Sequence, residues 1–215
     1  IMEEEIRLID EKTRNQKIKN FFIENKKLLI SLVALLFLLI LSFYSFQIYK
    51  SGQKKQLSDK YNSAVIDYRN GDKVKIIKSM IEVVEDKDST YSPLALYFLI
   101  DNNLIENRNE VNQLFDILIR KTSLDTEIKN LIIYKKALYN ADFINENELL
   151  NILKPLVNSN SVWKSHALYL AAEYFYNKDE KQKSKDFFNQ ILTTENANQD
   201  ILKDARKRLN RDLSE

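Results

Sequence analysis

The sequence is poor in the residue types that build compact catalytic and metal sites. It has no cysteine, one histidine, two glycines and two prolines in 215 residues. Without cysteine the chain forms no disulfide, thiol nucleophile, zinc knuckle or lipidated cysteine anchor. Gly52 and Gly71 are too few for a phosphate-binding loop, and a lone histidine cannot supply a two-histidine metal site. So few turn-forming residues favour long helices.

The charges of the chain are nearly balanced. There are 33 Lys and Arg residues against 31 Asp and Glu, a formal net charge of +2. This balance gives no reason to expect nucleic acid as the main partner. No carboxylate pair, nucleophile–base pair or group of metal ligands stands out, and His166 is more typical of a packed or exposed side chain than of a catalytic one. We therefore expect no enzymatic activity, cofactor, metal or small-molecule substrate.

One segment differs from the rest in hydropathy. Residues 28–48 contain no charged side chain. As an α-helix they span roughly 30 Å, the thickness of the hydrocarbon core of a bilayer. Lys26 and Lys27 precede the segment, and Tyr49 and Lys50 follow it, as interfacial anchors do. Its polar side chains are few and uncharged: Ser31, Ser42, Ser45 and Gln47.

Two other interpretations of this segment are a secretory signal peptide and a buried core helix. A signal peptide has an apolar region of about 7–15 residues before a small-x-small cleavage site. This segment is longer, and the bulky Phe43, Tyr44 and Phe46 obstruct such a site. A core helix rarely lacks charge on every face. We predict an uncleaved transmembrane helix over residues 28–48, in contact with the lipid bilayer.

The flanking charges bear on the orientation of this helix. Five cationic residues lie within fifteen residues before the segment, and four lie within fifteen residues after it. The difference slightly favours a cytoplasmic N-terminus. Residues 1–27 are then a cytoplasmic juxtamembrane segment. Acidic residues at Glu3–Glu5 with lysines further along predict a short helix within it.

A short polar turn recurs in the remaining part of the chain, residues 49–215. It begins at Asn70, Asn107, Asn140 and Asn177, with spacings of 37, 33 and 37 residues. An aromatic-rich run precedes each turn, and an amphipathic run follows it. The preceding runs are YNSAVIDYR, LALYFLID, LIIYKKALY and HALYLAAEYFY, and the following runs are VKIIKSMIEVV, VNQLFDILI, ELLNILKPLV and SKDFFNQIL. A final basic run over residues 201–213 predicts a capping helix.

Local signals within these runs predict helices and their ends. Val111, Leu114 and Leu118 have the spacing of apolar positions on one helix face. Asn and Asp side chains at the turns are predicted to cap the helices that follow. Pro93 is typical of a first helical turn, whereas Pro155 predicts a kink or an end.

Four helix pairs with a period near 34 residues indicate tetratricopeptide-type stacking. Each first helix carries a small residue that lets its partner approach closely: Ala64, Ala95, Ala137 and Ala167. The competing interpretation is an irregular helical bundle with accidental spacing. We predict an all-α chain in which a single N-terminal transmembrane helix is followed by a degenerate tetratricopeptide-like helical-repeat solenoid over residues 49–215, with about four helix pairs and a C-terminal capping helix.

The order of these features resembles a known bacterial family. The residues that carry the resemblance are DEKTRNQKIKNFFIENKKLLI, NGDKVKIIKSMIEVV, YSPLALYFLID and SVWKSHALYLAAEYFYNKDEKQKSKDFFNQIL. In pattern and architecture the chain is similar to the tetratricopeptide repeat-like ancillary subunits of the SecYEG translocon, of the YfgM type. It departs from that family at Ala141, where glycine is usual, and at Asn107–Asn109.

The resemblance implies a single-pass protein of the bacterial inner membrane with a cytoplasmic N-terminus and a periplasmic repeat domain. It also implies protein partners: the SecYEG translocon, a periplasmic chaperone and emerging, unfolded secretory proteins. The alternative is an envelope-assembly or cell-division scaffold with a repeat domain and no client-binding role.

Stacked helix pairs leave a concave surface that can hold a peptide or a partner helix. The first helix of each pair is expected to line this surface. The predicted partner-binding groove consists of Tyr97, Asp101, Tyr134, Tyr169 and Glu173. Other charged groups on the helices are expected to form a solvated face, namely Lys136 and the C-terminal basic residues Lys203, Arg206, Lys207, Arg208 and Arg211.

Overall fold

A computed structural model describes residue 14, residues 16–17 and residues 19–213 of the chain. Of the short helix predicted before the membrane segment, Glu3–Glu5 lie outside these described residues, whereas residues 19–24 are helical. Regular structure in the described part is α-helical, and no strand occurs there. The coarse fold class predicted from the sequence is confirmed, whereas the tetratricopeptide-like solenoid stays a prediction.

Nine helices follow one another along residues 26–213. They are α1 (Lys26–Asp67), α2 (Lys73–Glu85), α3 (Tyr91–Asp101), α4 (Arg108–Lys121), α5 (Thr126–Asn140), α6 (Glu146–Val157), α7 (Lys164–Asn177), α8 (Lys181–Leu192) and α9 (Gln199–Asp212). The aromatic-rich and amphipathic runs that were predicted to be helical lie in these helices, except that the first run extends past the end of α1 by Tyr68 and Arg69.

Helix α1 contains the predicted membrane segment. Its apolar side chains are exposed, for example Val33 at 66%, Phe43 at 65% and Ile48 at 71%. It is long and apolar enough to cross a membrane. The helix does not end with the apolar residues, because it continues through Gly52 to Asp67.

The chain divides into two compact units between Gln56 and Leu57. This division lies inside α1 and after the boundary predicted at residue 49. In the first unit the polar groups of α1 bond locally: Ser31 donates to the Leu28 carbonyl at 2.8 Å. Such bonding satisfies a hydroxyl without any partner outside the helix.

Asn and Asp side chains cap several helices, as predicted. Asp72 accepts from the Val74 amide at 2.9 Å, and Asn107 accepts from the Asn109 amide at 2.9 Å. At the third turn, predicted over residues 140–142, neither Asx residue caps the next helix; the cap is Asn145, which forms a reciprocal capping box with Glu148. The prediction is also wrong at the fourth turn.

At that fourth turn, Asp179 adopts a left-handed backbone conformation with φ of 60°. Glu180 therefore occupies the N-cap of α8, and its side chain makes no capping hydrogen bond. Both prolines lie where the sequence predicted. Pro93 is in the first turn of α3, and α6 ends two residues after Pro155.

The helices of residues 57–213 pack mainly against their neighbours in sequence. The closest pairs are α2 with α3, α5 with α6, and α7 with α8. Contacts between alternate helices join α2 to α4, α5 to α7, and α7 to α9. Successive and alternate contacts together produce a stack in which each helix meets helices close to it in sequence.

Three apolar clusters follow one another along this stack. The first is formed by the C-terminal part of α1 with α2, α3 and α4 and by Ile132 of α5, and it includes the fully buried Phe115. The second joins α5, α6 and α7 around Phe175, and the third joins α7, α8 and α9 around Phe188. The four alanines predicted at close approaches are all buried, the most exposed being Ala64 at 5%.

Two kinds of helix alternate in the stack. Helices α2, α4, α6, α8 and α9 are amphipathic, with one apolar face. Helices α3, α5 and α7 show little segregation of apolar residues to one face. A helix of that second kind has to be covered on several sides, which matches its contacts with both sequence neighbours.

Buried polar groups fix the packing of α4 against α5. Asn112 and Asn140 exchange two side-chain hydrogen bonds of 2.9 and 2.8 Å, and Asn140 is only 2% exposed. Lys136 donates to the Asp116 carboxylate at 2.9 Å, with its side chain 15% exposed. The expectation that Lys136 is solvated is therefore wrong, because α4 supplies it with a carboxylate partner.

The turn between α1 and α2 contains a close backbone approach at Gly71 that can be tested by substitution. A Cβ atom at Gly71 would lie 2.6 Å from the backbone oxygen of Asp67, whereas one at Gly52 would meet no atom within 4 Å. We expect Gly71→Ala to lower the free energy of unfolding of the full chain in detergent by about 1–3 kcal/mol. Gly52→Ala is the control and should not destabilise, since alanine is the better helix former. Equal stability of the two variants by circular dichroism would contradict this close approach.

Candidate partner-binding surface

The five residues of the predicted groove lie on three helices. Tyr97 and Asp101 are on α3, Tyr134 is on α5, and Tyr169 and Glu173 are on α7. These are the first helices of successive predicted pairs. Side-chain contacts divide the five residues among three neighbourhoods. That these neighbourhoods form one concave groove stays a prediction.

The first neighbourhood joins α3 to α5 through a cation. The Nζ of Lys135 lies 4.5 Å from the centroid of the Tyr97 ring, within the range of a cation–π interaction. Among the described residues, the buried phenolic oxygen of Tyr97 has no hydrogen-bond partner. Burial, together with the charge of Asp101, raises the pKa of Tyr97 to about 12. The hydroxyl therefore stays protonated, while Asp101 itself is exposed at the end of α3.

The second neighbourhood is an aromatic cluster formed by Tyr134, Trp163 and His166. The rings of Tyr134 and Trp163 stack with centroids 5.9 Å apart and planes inclined by 21°. The His166 ring lies 5.1 Å from that of Trp163 and 5.7 Å from that of Tyr134. Trp163 occupies the N-cap position of α7, so the cluster joins the start of α7 to the side of α5.

A depression opens beside the aromatic cluster, with a volume of about 380 Å³. Its lining residues are Val162, Trp163, His166, Asn196 and Asn198. It therefore lies between the start of α7 and the segment that connects α8 to α9. None of the five residues of the predicted groove lines it, although Tyr134 packs against two of its rings.

Burial controls the charge of the histidine at this depression. It lowers the pKa of the His166 imidazole below the usual value of 6.5, and the backbone carbonyl of Val162 opposes the shift. The imidazole is therefore neutral at pH 7, with one donor nitrogen and one acceptor nitrogen. A neutral ring is compatible with its close packing against Tyr134 and Trp163.

The third neighbourhood joins α7 to the capping helix α9. The Tyr169 ring meets Phe188 edge-on at 5.4 Å. Glu173 accepts from the Arg208 Nε at 2.7 Å, and Arg208 also pairs with Asp212. Glu173 is therefore neutralised within the chain and is less available to an external cation.

The expectation of a fully solvated basic cluster on α9 is wrong for Arg208. Its side chain is 16% exposed, and its guanidinium lies 4.2 Å from the centroid of the Tyr176 ring. The carboxylates on either side compensate for its burial. Lys203, Arg206 and Lys207 are exposed, as expected.

Sequence reasoning missed four residues at this surface. These are Lys135, Trp163, His166 and Arg208, each of which contacts a residue of the predicted groove. The spacing of Trp163 and His166 places both on one side of a helix start, which is a signal that the sequence does contain. The pairing of either ring with Tyr134 depends on helix packing and has no local signal.

Comparisons with known proteins return no relative: no family model, curated protein or solved structure matches this chain. Within the described part of the chain, no group of three or more His, Cys, Asp or Glu side chains is placed to hold a metal ion. The geometry found at the surface consists of aromatic rings, exposed carboxamides and ion pairs that join one helix to another within the chain.

The ion pairs of Arg208 give a stability prediction. We expect Arg208→Ala to reduce the free energy of unfolding by roughly 1–3 kcal/mol, because it leaves Glu173 without its cation and removes one of the two arginines that pair with Asp212. Lys203→Ala, at an exposed position on the same helix, is the matched control and should change stability by less than about 0.5 kcal/mol. Urea unfolding monitored by circular dichroism measures both. An equal effect of the two substitutions would show that the Arg208 pairs contribute nothing.

The aromatic cluster gives a pH prediction, because Trp163 is the only tryptophan in the chain. Protonated imidazole quenches a neighbouring indole, so the fluorescence of Trp163 reports the charge of His166. We expect quenching on acidification with a midpoint below 6.5, and no such transition in His166→Gln. Since the pKa of His166 is lower in the folded chain, the unfolded chain binds a proton at this imidazole more tightly than the folded chain does. The free energy of unfolding therefore has its full contribution from neutral His166 above pH 6.5, and it decreases as the pH falls below 6.5. A midpoint at or above 6.5 would contradict the burial of this ring.

Proposed function

We propose that the chain is a single-pass membrane protein that presents a tetratricopeptide-like repeat domain for binding other proteins. The observation that carries this proposal is the exposed apolar surface of α1. A soluble domain seldom exposes so long an apolar stretch, and a lipid bilayer is the medium that covers one. The successive and alternate contacts along residues 57–213 support a repeat-type stack.

The chemistry of α3, α5 and α7 supports protein binding as the role of the stack. Tyr97, Tyr134 and Tyr169 are partly exposed, and tyrosine contributes a large apolar area together with a polar hydroxyl. Aromatic side chains of this kind are enriched at protein–protein interfaces. The exposed carboxylate of Asp101 adds a charge that is able to select among partners.

The resemblance noted in the sequence suggests a specific setting for this domain. We infer an ancillary subunit of the SecYEG translocon in the bacterial inner membrane, with the N-terminus in the cytoplasm and the repeat domain in the periplasm. It links the translocon to periplasmic chaperones or to emerging secretory proteins. Tethering by α1 keeps the domain beside its clients, so the high effective concentration makes weak contacts sufficient.

Site-specific photo-cross-linking in bacterial cells tests this function. We expect a photoreactive phenylalanine at Asp101 in the full chain to cross-link to SecYEG subunits and to secretory polypeptides in transit. Release of nascent chains with puromycin should remove the polypeptide adducts. The control is the same residue at Asn189, which is exposed on α8, a second helix of the predicted pairs.

Two outcomes would contradict the proposal. A single adduct that puromycin does not change, with an envelope-assembly protein as the partner, would favour the scaffold alternative. Protection of a C-terminal tag from protease in spheroplasts, with digestion after lysis, would place the domain in the cytoplasm. In that case the translocon assignment fails even if residues 57–213 bind proteins.

A further inference from the structure

We propose that the depression lined by Val162, Trp163, His166, Asn196 and Asn198 docks an extended, uncharged polypeptide segment through an aromatic or large aliphatic side chain. The inference rests on the proposed protein-binding function and names the chemistry of the segment that would be held. The site is separate from the groove predicted on the first helices.

The rings provide the apolar part of this site. Trp163 and His166 lie 5.1 Å apart, and Tyr134 packs behind both of them. Packing from behind holds the two rings in place, so little side-chain entropy remains to be lost on binding. Val162 is 58% exposed and extends the apolar surface at the edge. The volume of about 380 Å³ is within the range of about 300–1,000 Å³ that ligand pockets occupy.

The carboxamides provide the polar part. The Asn196 side chain is exposed and makes no hydrogen bond to any described residue, and its backbone is held in the left-handed region with φ of 57°. The Asn198 Oδ1 caps α9 by accepting from the amides of Asp200 and Ile201 at 3.0 and 3.1 Å, which leaves its amide nitrogen as a donor. A carboxamide both donates and accepts, so it matches the peptide groups of an extended backbone.

Charge complementarity selects an uncharged occupant. None of the five lining residues carries a formal charge when His166 is neutral. A charged side chain that entered the depression would lose hydration without gaining a counter-ion from these five residues, which is costly. An apolar side chain gains from the same transfer. Aromatic contact with backbone pairing is tolerant of sequence, which suits a domain that meets varied unfolded segments.

The single tryptophan makes the site directly measurable. We expect the capped peptide acetyl-Ser-Phe-Ser-amide to change the fluorescence of Trp163 saturably when titrated into the full chain in detergent. Peptides with Asp or Lys in place of Phe should bind at least about tenfold more weakly, a difference of about 1.4 kcal/mol. Absence of a saturable change, or equal affinity for the three peptides, overturns the proposal.

Matched variants test the polar part of the site. Asn196→Gly removes the carboxamide and keeps a residue that tolerates positive φ, and we expect it to weaken Phe-peptide binding by about three- to tenfold, as loss of one hydrogen bond predicts. Asn103→Gly, at a second exposed asparagine with φ of 51°, is the control and should leave binding unchanged. Val162→Asp should abolish Phe-peptide binding by placing a charge at the edge. Circular dichroism verifies that all three variants are folded.

The outcomes separate this site from the proposed function. Capture of secretory chains by the photoreactive residue at Asp101, with no peptide response at Trp163, rejects the docking site and leaves the translocon role in place. A selective peptide response without any cross-link to the translocon supports the site and rejects the translocon role. Unchanged affinity in Asn196→Gly with selective binding of the Phe peptide overturns the backbone pairing that the proposal requires.

Discussion

The structure of residues 57–213 depends on the mutual covering of apolar helix faces. The helices α2 to α9 are 11–15 residues long, a length at which an isolated helix is marginally stable in water. Each apolar cluster draws on at least three consecutive helices, so no pair completes its own core. Helices with one apolar face therefore lie beside helices whose apolar residues are spread around the helix. The second kind lies between neighbours, and the first kind has a side that meets water.

Helix α1 has one apolar part that is covered by protein and another that is exposed. Its C-terminal residues Leu57, Tyr61 and Ala64 contribute to the first apolar cluster and are covered by protein. Its earlier apolar residues have no cover from the described chain, and Val33, for example, remains 66% exposed. One continuous helix thus has two surfaces that need different surroundings. In the sequence, the exposed apolar part is recognised by its lack of charge, and the protein-covered C-terminal part is recognised by helical periodicity.

The sequence predicts helices well here because apolar spacing and capping residues are local signals. Leu114 and Leu118 are buried in α4 as their spacing indicates, and Asp72 caps α2. Interactions between helices are less accessible to prediction. Arg208 was expected in solvent, since its partner Glu173 lies 35 positions earlier, and their pairing depends on how α7 and α9 are rotated. The groove residues lie on the predicted helices for the same local reasons, but their division among three neighbourhoods reflects side-chain directions that periodicity does not specify.

The packing of the helices also determines which side chains form ion pairs within the chain and which do not. Two charged side chains of the first helices are taken up by ion pairs between helices: Lys136 pairs with Asp116, and Glu173 pairs with Arg208. Such pairs fix the position of one helix on the next, and they leave fewer free charges for partners. Trp163 and His166, at the start of α7, take no part in these ion pairs and are only partly covered. They lie beside the carboxamides of Asn196 and Asn198. If the proposed binding function holds, these rings and carboxamides, together with the exposed Asp101, are the groups that remain available to a partner.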